Sequence, residues 1–232
     1  MSPLPSPPPR PEPRGRAALF SPATTTWFRL FLAASAGLFA ASGVMAYAYF
    51  HSTYWNRIGI APEQPVLFSH RHHAGELRID CRNCHATVET SAFAGLPSTQ
   101  ACLACHSQIF TRTTMIRPVV QSAVEDVPLQ WSRVSQLPAH VFFNHSIHVA
   151  KGVACITCHG DVGAMALTAK AEPMTMRWCL DCHRDPAPRL SPPDRIFEAV
   201  AGREPPRAGG AELMEYYRVR TDSLTDCSTC HH

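Results

Sequence analysis

Residues 142–159 read FFNHSIHVAKGVACITCH, and residues 68–85 read FSHRHHAGELRIDCRNCH. Each stretch carries the pattern F-x-H-x-x-H and, a few residues later, C-x-x-C-H. The first pattern falls on Phe68, His70 and His73 and again on Phe143, His145 and His148, 75 residues on. C-x-x-C-H occurs five times, at Cys81-Cys84-His85, Cys102-Cys105-His106, Cys155-Cys158-His159, Cys179-Cys182-His183 and Cys227-Cys230-His231, and these use all 10 cysteines. No cysteine is left for a disulfide framework or a thiol nucleophile. His is 13 of 232 residues. Five His in five such positions by chance comes to about one in a million.

C-x-x-C-H is the attachment signature of c-type haem. The two thiols add to the haem vinyl groups, and the adjacent His reaches the iron from the proximal side. A zinc ribbon also uses C-x-x-C pairs, but it has no need of His directly after the second Cys. A thioredoxin-like redox role would need only one motif. The reading is therefore five haem c groups, with His85, His106, His159, His183 and His231 as proximal ligands.

Eight histidines remain. In F-x-H-x-x-H the two His stand at i and i+3, neighbours on one side of a helical turn. Two imidazoles so placed can enter two different haems, which nominates His70, His73, His145 and His148 as distal ligands. For the fifth iron the candidates are His140, in LPAHVFFNH (137–145), and Met176, because a thioether is the other common sixth ligand. His72 and His232 each adjoin a histidine already committed to iron, and with His51 they read as surface or interfacial residues.

The motif starts are 21, 53, 24 and 48 residues apart. This close–far alternation and the matching stretches PSTQACLACH and PMTMRWCLDCH describe a duplication. It gives di-haem units at 65–110 and 138–186 and a C-terminal haem at 222–232. Between the units, 111–137 has some β-type apolar character, interrupted by Pro118 and Pro128. Segment 187–221 reads as an irregular connection over the surface, with a short helix around Glu212–Tyr217. The expected fold is mainly irregular with short α-helices, a multihaem cytochrome c (class III-like) domain on a single N-terminal transmembrane helix, with haem replacing much of the core.

At the N-terminus, seven of the first 13 residues are Pro, so 1–26 reads as a Pro-rich tail. Leu30 to Phe50 carries no charge over 21 residues, about 31 Å as a helix and enough for one span. Aromatic residues flank both ends, and the basic residues Arg10, Arg14, Arg16 and Arg29 precede the span. The expected layout is a cytoplasmic tail (1–26), an anchor (27–52) and a periplasmic domain (53–232) on the bacterial inner membrane. A cleaved signal peptide ending near Ala46 is the competing reading. The formal charge of +3 and the absence of a basic run exclude a nucleic-acid surface. The 19 Arg against 2 Lys suit pairing with haem propionates.

FSHRHHAGELRIDCRNCH, GLPSTQACLACH, FFNHSIHVAKGVACITCHGDV, MTMRWCLDCHR and LTDCSTCHH together resemble the pentahaem membrane-anchored cytochrome subunit of alternative complex III, a quinol:electron-acceptor oxidoreductase. The likeness spans roughly residues 27–232 and lies within the wider class III (cytochrome c3/c7-like) group. It departs from the usual pattern at Arg177, where Gly is customary. The resemblance implies an electron-transfer subunit, itself not an enzyme, that passes electrons from quinol oxidation to a periplasmic acceptor. It also implies as partners an iron–sulfur subunit, polytopic quinol-binding membrane subunits and a monohaem cytochrome. The alternative is a membrane-anchored quinol dehydrogenase or reductase module with its own catalytic haem, which would need an open iron position.

Overall fold

The computed structural model describes residues 21–200 and 209–231. The first 20 residues of the Pro-rich tail, residues 201–208 and His232 lie outside the described residues. The chain divides after His51 into two compact units.

The first unit is the helix α1, Pro22–Phe50. It begins earlier than the Pro-rich reading of 1–26 allows. Ser21 caps it by accepting the Thr24 amide at 3.2 Å, and Pro22 occupies the first turn, where a missing N–H costs nothing. Thr25 and Thr26 turn their hydroxyls back onto the carbonyls of Ser21 and Pro22. None of its residues is buried, and the helix is long and apolar enough to cross a membrane.

The second unit, 52–231, is built of short helices: α2 Thr99–His106, α3 Arg117–Glu125, α4 His145–Ala150, α5 Cys155–His159, α6 Met176–Arg184, α7 Gly210–Tyr216 and α8 Cys227–Cys230. A π-helical turn at Arg71–Glu76 and tight turns such as Cys81–Asn83 and Val162–Ala164 complete it. Among the described residues there is no strand, only isolated bridges: Ile58 with Lys170, Val141 with His231 and Val153 with Leu190. This is the short-helix, sheet-poor architecture expected.

Short polar side chains start four of these elements. Ser98 accepts from Ala101 to open α2, Asn144 accepts from Ser146 and Ile147 to open α4, and Thr175 accepts from Trp178 to open α6. Asp80 accepts from the Arg82 amide at the first motif. Each cap fixes where a haem motif, or the histidine pair that precedes it, begins to coil.

Two connections differ from their reading in the sequence. The stretch 111–137 contains α3 rather than β-type chain. Pro118 stands in its first turn, and buried Ser122 ties it to α2 by a 2.6 Å hydroxyl contact with Thr99, while its hydroxyl donates to Val127 O just beyond the helix. Segment 187–200 is not a surface wrapping but part of the core, with Leu190, Ser191 and Ile196 buried. It is stitched to the third motif by Ser191 N–H to Gly152 O and Cys155 N–H to Ile196 O. Tyr217, just after α7, donates to Ser191 O and lies against Gly152, whose φ of +81° and lack of a side chain make room for the ring.

The apolar core is thin. Among the described residues only Val66, Val88, Val119, Ala154, Leu190 and Ile196 are buried hydrophobics.

Candidate haem sites

Each C-x-x-C-H motif coils as a helical turn. His85 N–H donates to Cys81 O at 2.8 Å, and His231 N–H donates to Cys227 O at 2.9 Å. One turn sets the two thiols three residues apart on one side, with the histidine next to them.

The two F-x-H-x-x-H segments have the same internal geometry. Phe68 meets His70 edge-on at 4.9 Å and 88° and stacks on His73 at 4.4 Å and 23°. Phe143 meets His145 at 4.8 Å and 90° and stacks on His148 at 4.5 Å and 27°. The Phe is a wedge that splays the two imidazoles in different directions.

Three of the four splayed imidazoles face a motif histidine. His73 faces His106 with ring centroids 6.2 Å apart, His145 faces His159 at 6.4 Å and 5°, and His148 faces His183 at 6.2 Å and 28°. His70 lies within electrostatic reach of His85. His140 stacks opposite His231 at 5.6 Å and 18°, held there by the Val141–His231 bridge and by Phe142 N–H donating to Cys230 O at 2.7 Å. A metal ion held between two imidazoles, with bonds of about 2 Å and roughly 1.1 Å from nitrogen to ring centre, would need ring centres about 6 Å apart. Among the described residues no three His, Cys, Asp or Glu converge on one point.

The remaining candidates lie elsewhere. Met176, the first residue of α6, is 63% exposed. His72 pairs with Glu76 at 2.9 Å on the surface, and His51 stacks on Tyr47 at 4.1 Å. Of the arginines, Arg82 pairs with Asp80 and Glu89 and Arg195 with Glu198.

The ring nitrogens are oriented by a second set of groups. Nδ1–H donates to a main-chain carbonyl in seven of these histidines: His73 to Ser69, His85 to Gly95, His106 to Ile109, His145 to Ala92, His148 to Asn144, His183 to Leu224 and His231 to His140. That leaves Nε2 as the metal-binding nitrogen and makes it more basic. Burial, with the nearby histidines adding to it, lowers the pKa of His70 and of His159 to about 4. Both are therefore neutral, the ligating form.

The thiols show how the motifs neighbour one another. Cys84 feels Cys105, and Cys102 feels Cys84. Cys81 neighbours Cys155, and its thiol donates to Phe197 O. Burial, with Cys182 and Cys179 adding to it, pushes Cys158 up to about 12, so it is no thiolate nucleophile at neutral pH. Cys179 feels Cys230. These neighbourhoods link the second motif to the first, the first to the third, the third to the fourth and the fourth to the fifth. A cavity of about 460 Å³ lies at the middle of this series, lined by Cys81, Cys84, Cys155 and Cys158 and by His85 and His159. Attachment thiols, opposed neutral imidazoles and an apolar cavity are the donor set and surroundings that haem c requires.

The wedge role of Phe68 and Phe143 was visible in the sequence only as a repeated letter. The accepting carbonyls of Ala92, Gly95 and Leu224 had no sequence signal, because every residue has a carbonyl. Comparison with known proteins agrees with the chemistry. Residues 52–123 match the class III cytochrome c family, and residues 141–232 match cytochrome c7 and related cytochrome c. The chain is also similar to the multihaem cytochrome c subunit of a menaquinone reductase from Nitratidesulfovibrio vulgaris, at 28% identity over 173 residues, which are 73% of this chain and 68% of that subunit. Attachment motifs, paired imidazoles and both family matches lead to one conclusion: the second unit is a multihaem c-type cytochrome domain.

Proposed function

We propose that this chain is the electron-transfer subunit of a membrane quinol-oxidising respiratory complex of the alternative complex III type. It holds five haem c groups through the ten motif cysteines. The proximal ligands are His85, His106, His159, His183 and His231. Their distal partners, in the same order, are His70, His73, His145, His148 and His140. The observation that carries the reading is that four motif histidines, His106, His159, His183 and His231, each face another imidazole across 5.6 to 6.4 Å. Haem c, when bound, supplies a one-electron iron couple, and imidazole on both faces leaves no coordination position for a substrate. The chain's own residues fix, orient and insulate: thiols tether, Nδ1–H bonds set the ring planes, and the Phe wedges keep neighbouring imidazoles apart. The spatial series of motifs supports a relay whose ends are the second and fifth sites. In this reading α1 anchors the chain, the cytochrome domain faces the periplasm, and the partners are an iron–sulfur subunit, quinol-binding membrane subunits and a monohaem cytochrome.

Intact-mass measurement on protein extracted from membranes in mild detergent should give five haem additions, and menaquinol should reduce the haems of the complex that co-purifies. Four additions, or bound zinc, would overturn the ligand assignment. The name of the similar subunit, menaquinone reductase, favours a second reading in which the same scaffold feeds electrons to quinone. Oxidation of pre-reduced haems by menaquinone, without reduction by menaquinol, would select it.

The fifth site has its own test. His140→Ala should leave one five-coordinate, high-spin haem that binds carbon monoxide, whereas Met176→Ala should leave the spectrum unchanged. The reverse pattern would assign Met176.

A further inference from the structure

The two halves of the domain brace each other by exchanged bonds. Arg71 N–H, beside His70, donates to Met165 O in the loop after the third motif, at 2.9 Å. Its counterpart Ser146 N–H, beside His145, donates to Ser91 O in the loop after the first motif, at 3.2 Å. The same exchange reaches the imidazoles, and there the symmetry breaks. His145 Nδ1–H donates to the main-chain carbonyl of Ala92 at 2.9 Å. His70 Nδ1 instead meets a side chain, the Thr168 hydroxyl oxygen, at 2.7 Å and 98 residues away in sequence. Thr168 and His70 both line the central cavity.

We infer that Thr168 is a positioning residue for His70 and that its hydroxyl sets the first haem site apart from the third. The inference rests on the proposed role of His70 as a distal ligand. With Nε2 on iron, Nδ1 carries the proton and donates to Oγ1. An acceptor at Nδ1 raises the basicity of the ligating nitrogen and so favours the ferric state. A carbonyl acceptor is fixed by the chain, but a hydroxyl rotates, has its own proton to place, and can be removed without disturbing the backbone. The two central sites, alike in their tethers and ligand type, thus differ in the group behind one ligand.

The test is a redox titration of the haem absorbance on the full chain, with electron paramagnetic resonance of the oxidised form. Thr168→Val, which keeps the shape and loses the hydroxyl, should move one titrating component to higher potential and shift the g-values of one low-spin centre. Thr168→Ser should restore both. Thr168→Ala should move the same component in the same direction and decides the matter if the Val variant fails to accumulate. Unchanged titration and g-values in the Val or Ala variant would overturn the inference, as would equal shifts in the Ser and Val variants. His70→Ala separates this failure from that of the underlying reading. If it produces no high-spin haem, His70 is not a ligand. If it does while Thr168→Val changes nothing, only the role of Thr168 falls.

Discussion

Made in cells without the machinery for haem attachment, the chain should yield no protease-resistant domain between residues 52 and 231. The expected readout is rapid digestion of the whole segment and loss of helical circular dichroism. The reason lies in the composition of the interior. The buried hydrophobics among the described residues are few and small, mainly Val with one Leu, one Ile and one Ala. The helices of the domain have 4 to 9 residues, well below the roughly 12–15 needed for marginal stability in isolation. Side chains that would otherwise form a core, such as Phe143, His148 and Val153, line the central cavity instead. Small domains that cannot bury enough of their own apolar surface depend on cofactors or cross-links. A cooperative thermal transition in the haem-free chain would contradict this account.

The second large effect should come from one added methyl group. Gly75, in the π-helical turn that carries His73, lies directly against the main chain of Gly163, and a Cβ at Gly75 would overlap the Gly163 carbonyl. Gly163 cannot retreat, because its own N–H donates to Ala199 O at 2.7 Å and a side chain there would meet the same carbonyl. Gly75→Ala therefore forces backbone against backbone. Overpacking typically costs about 1–3 kcal/mol, and with no flexible side chain to yield, this site belongs at the upper end. For a domain of this size that corresponds to a fall in Tm of about 5–10 °C, with loss of low-spin signal from the second site, whose His73 the turn carries. Gly37→Ala, in α1 with nothing near its added methyl, should leave both readouts unchanged. An unaltered Tm in the Gly75 variant would mean that the two turns do not meet as described.

The attachment motifs and the histidine pairs were legible in the sequence because they are covalent or local devices: i, i+3 and i, i+4 spacings survive any tertiary arrangement. The duplication was legible for the same reason, as a spacing. The helix at Arg117–Glu125 was not. Val119, Val120 and Val124 suggest β-structure by side-chain preference, and the tie between Ser122 and Thr99 that favours a helix there spans 23 residues. The burial of 187–200 was hidden by its Pro and Arg content. Its place is set by main-chain bonds to Gly152 and Cys155, which any residue type could make. α1 begins at Pro22, ahead of the expected anchor at 27–52, because Pro22 follows a capping Ser and sits where proline is tolerated.

The exchanged bonds between the halves also bear on the order of events during synthesis. A ribosome releases the first attachment motif long before Met165 and Thr168 exist, and His70 waits for a partner 98 residues downstream. The counterpart contacts meet no such delay, since Ser91 and Ala92 already stand ready when Ser146 and His145 emerge. The first site is thus closed only after the third motif has emerged. A truncated or stalled chain ending before residue 165 would carry its first two motifs without the contacts that close the first site, leaving an incomplete product open to proteolysis.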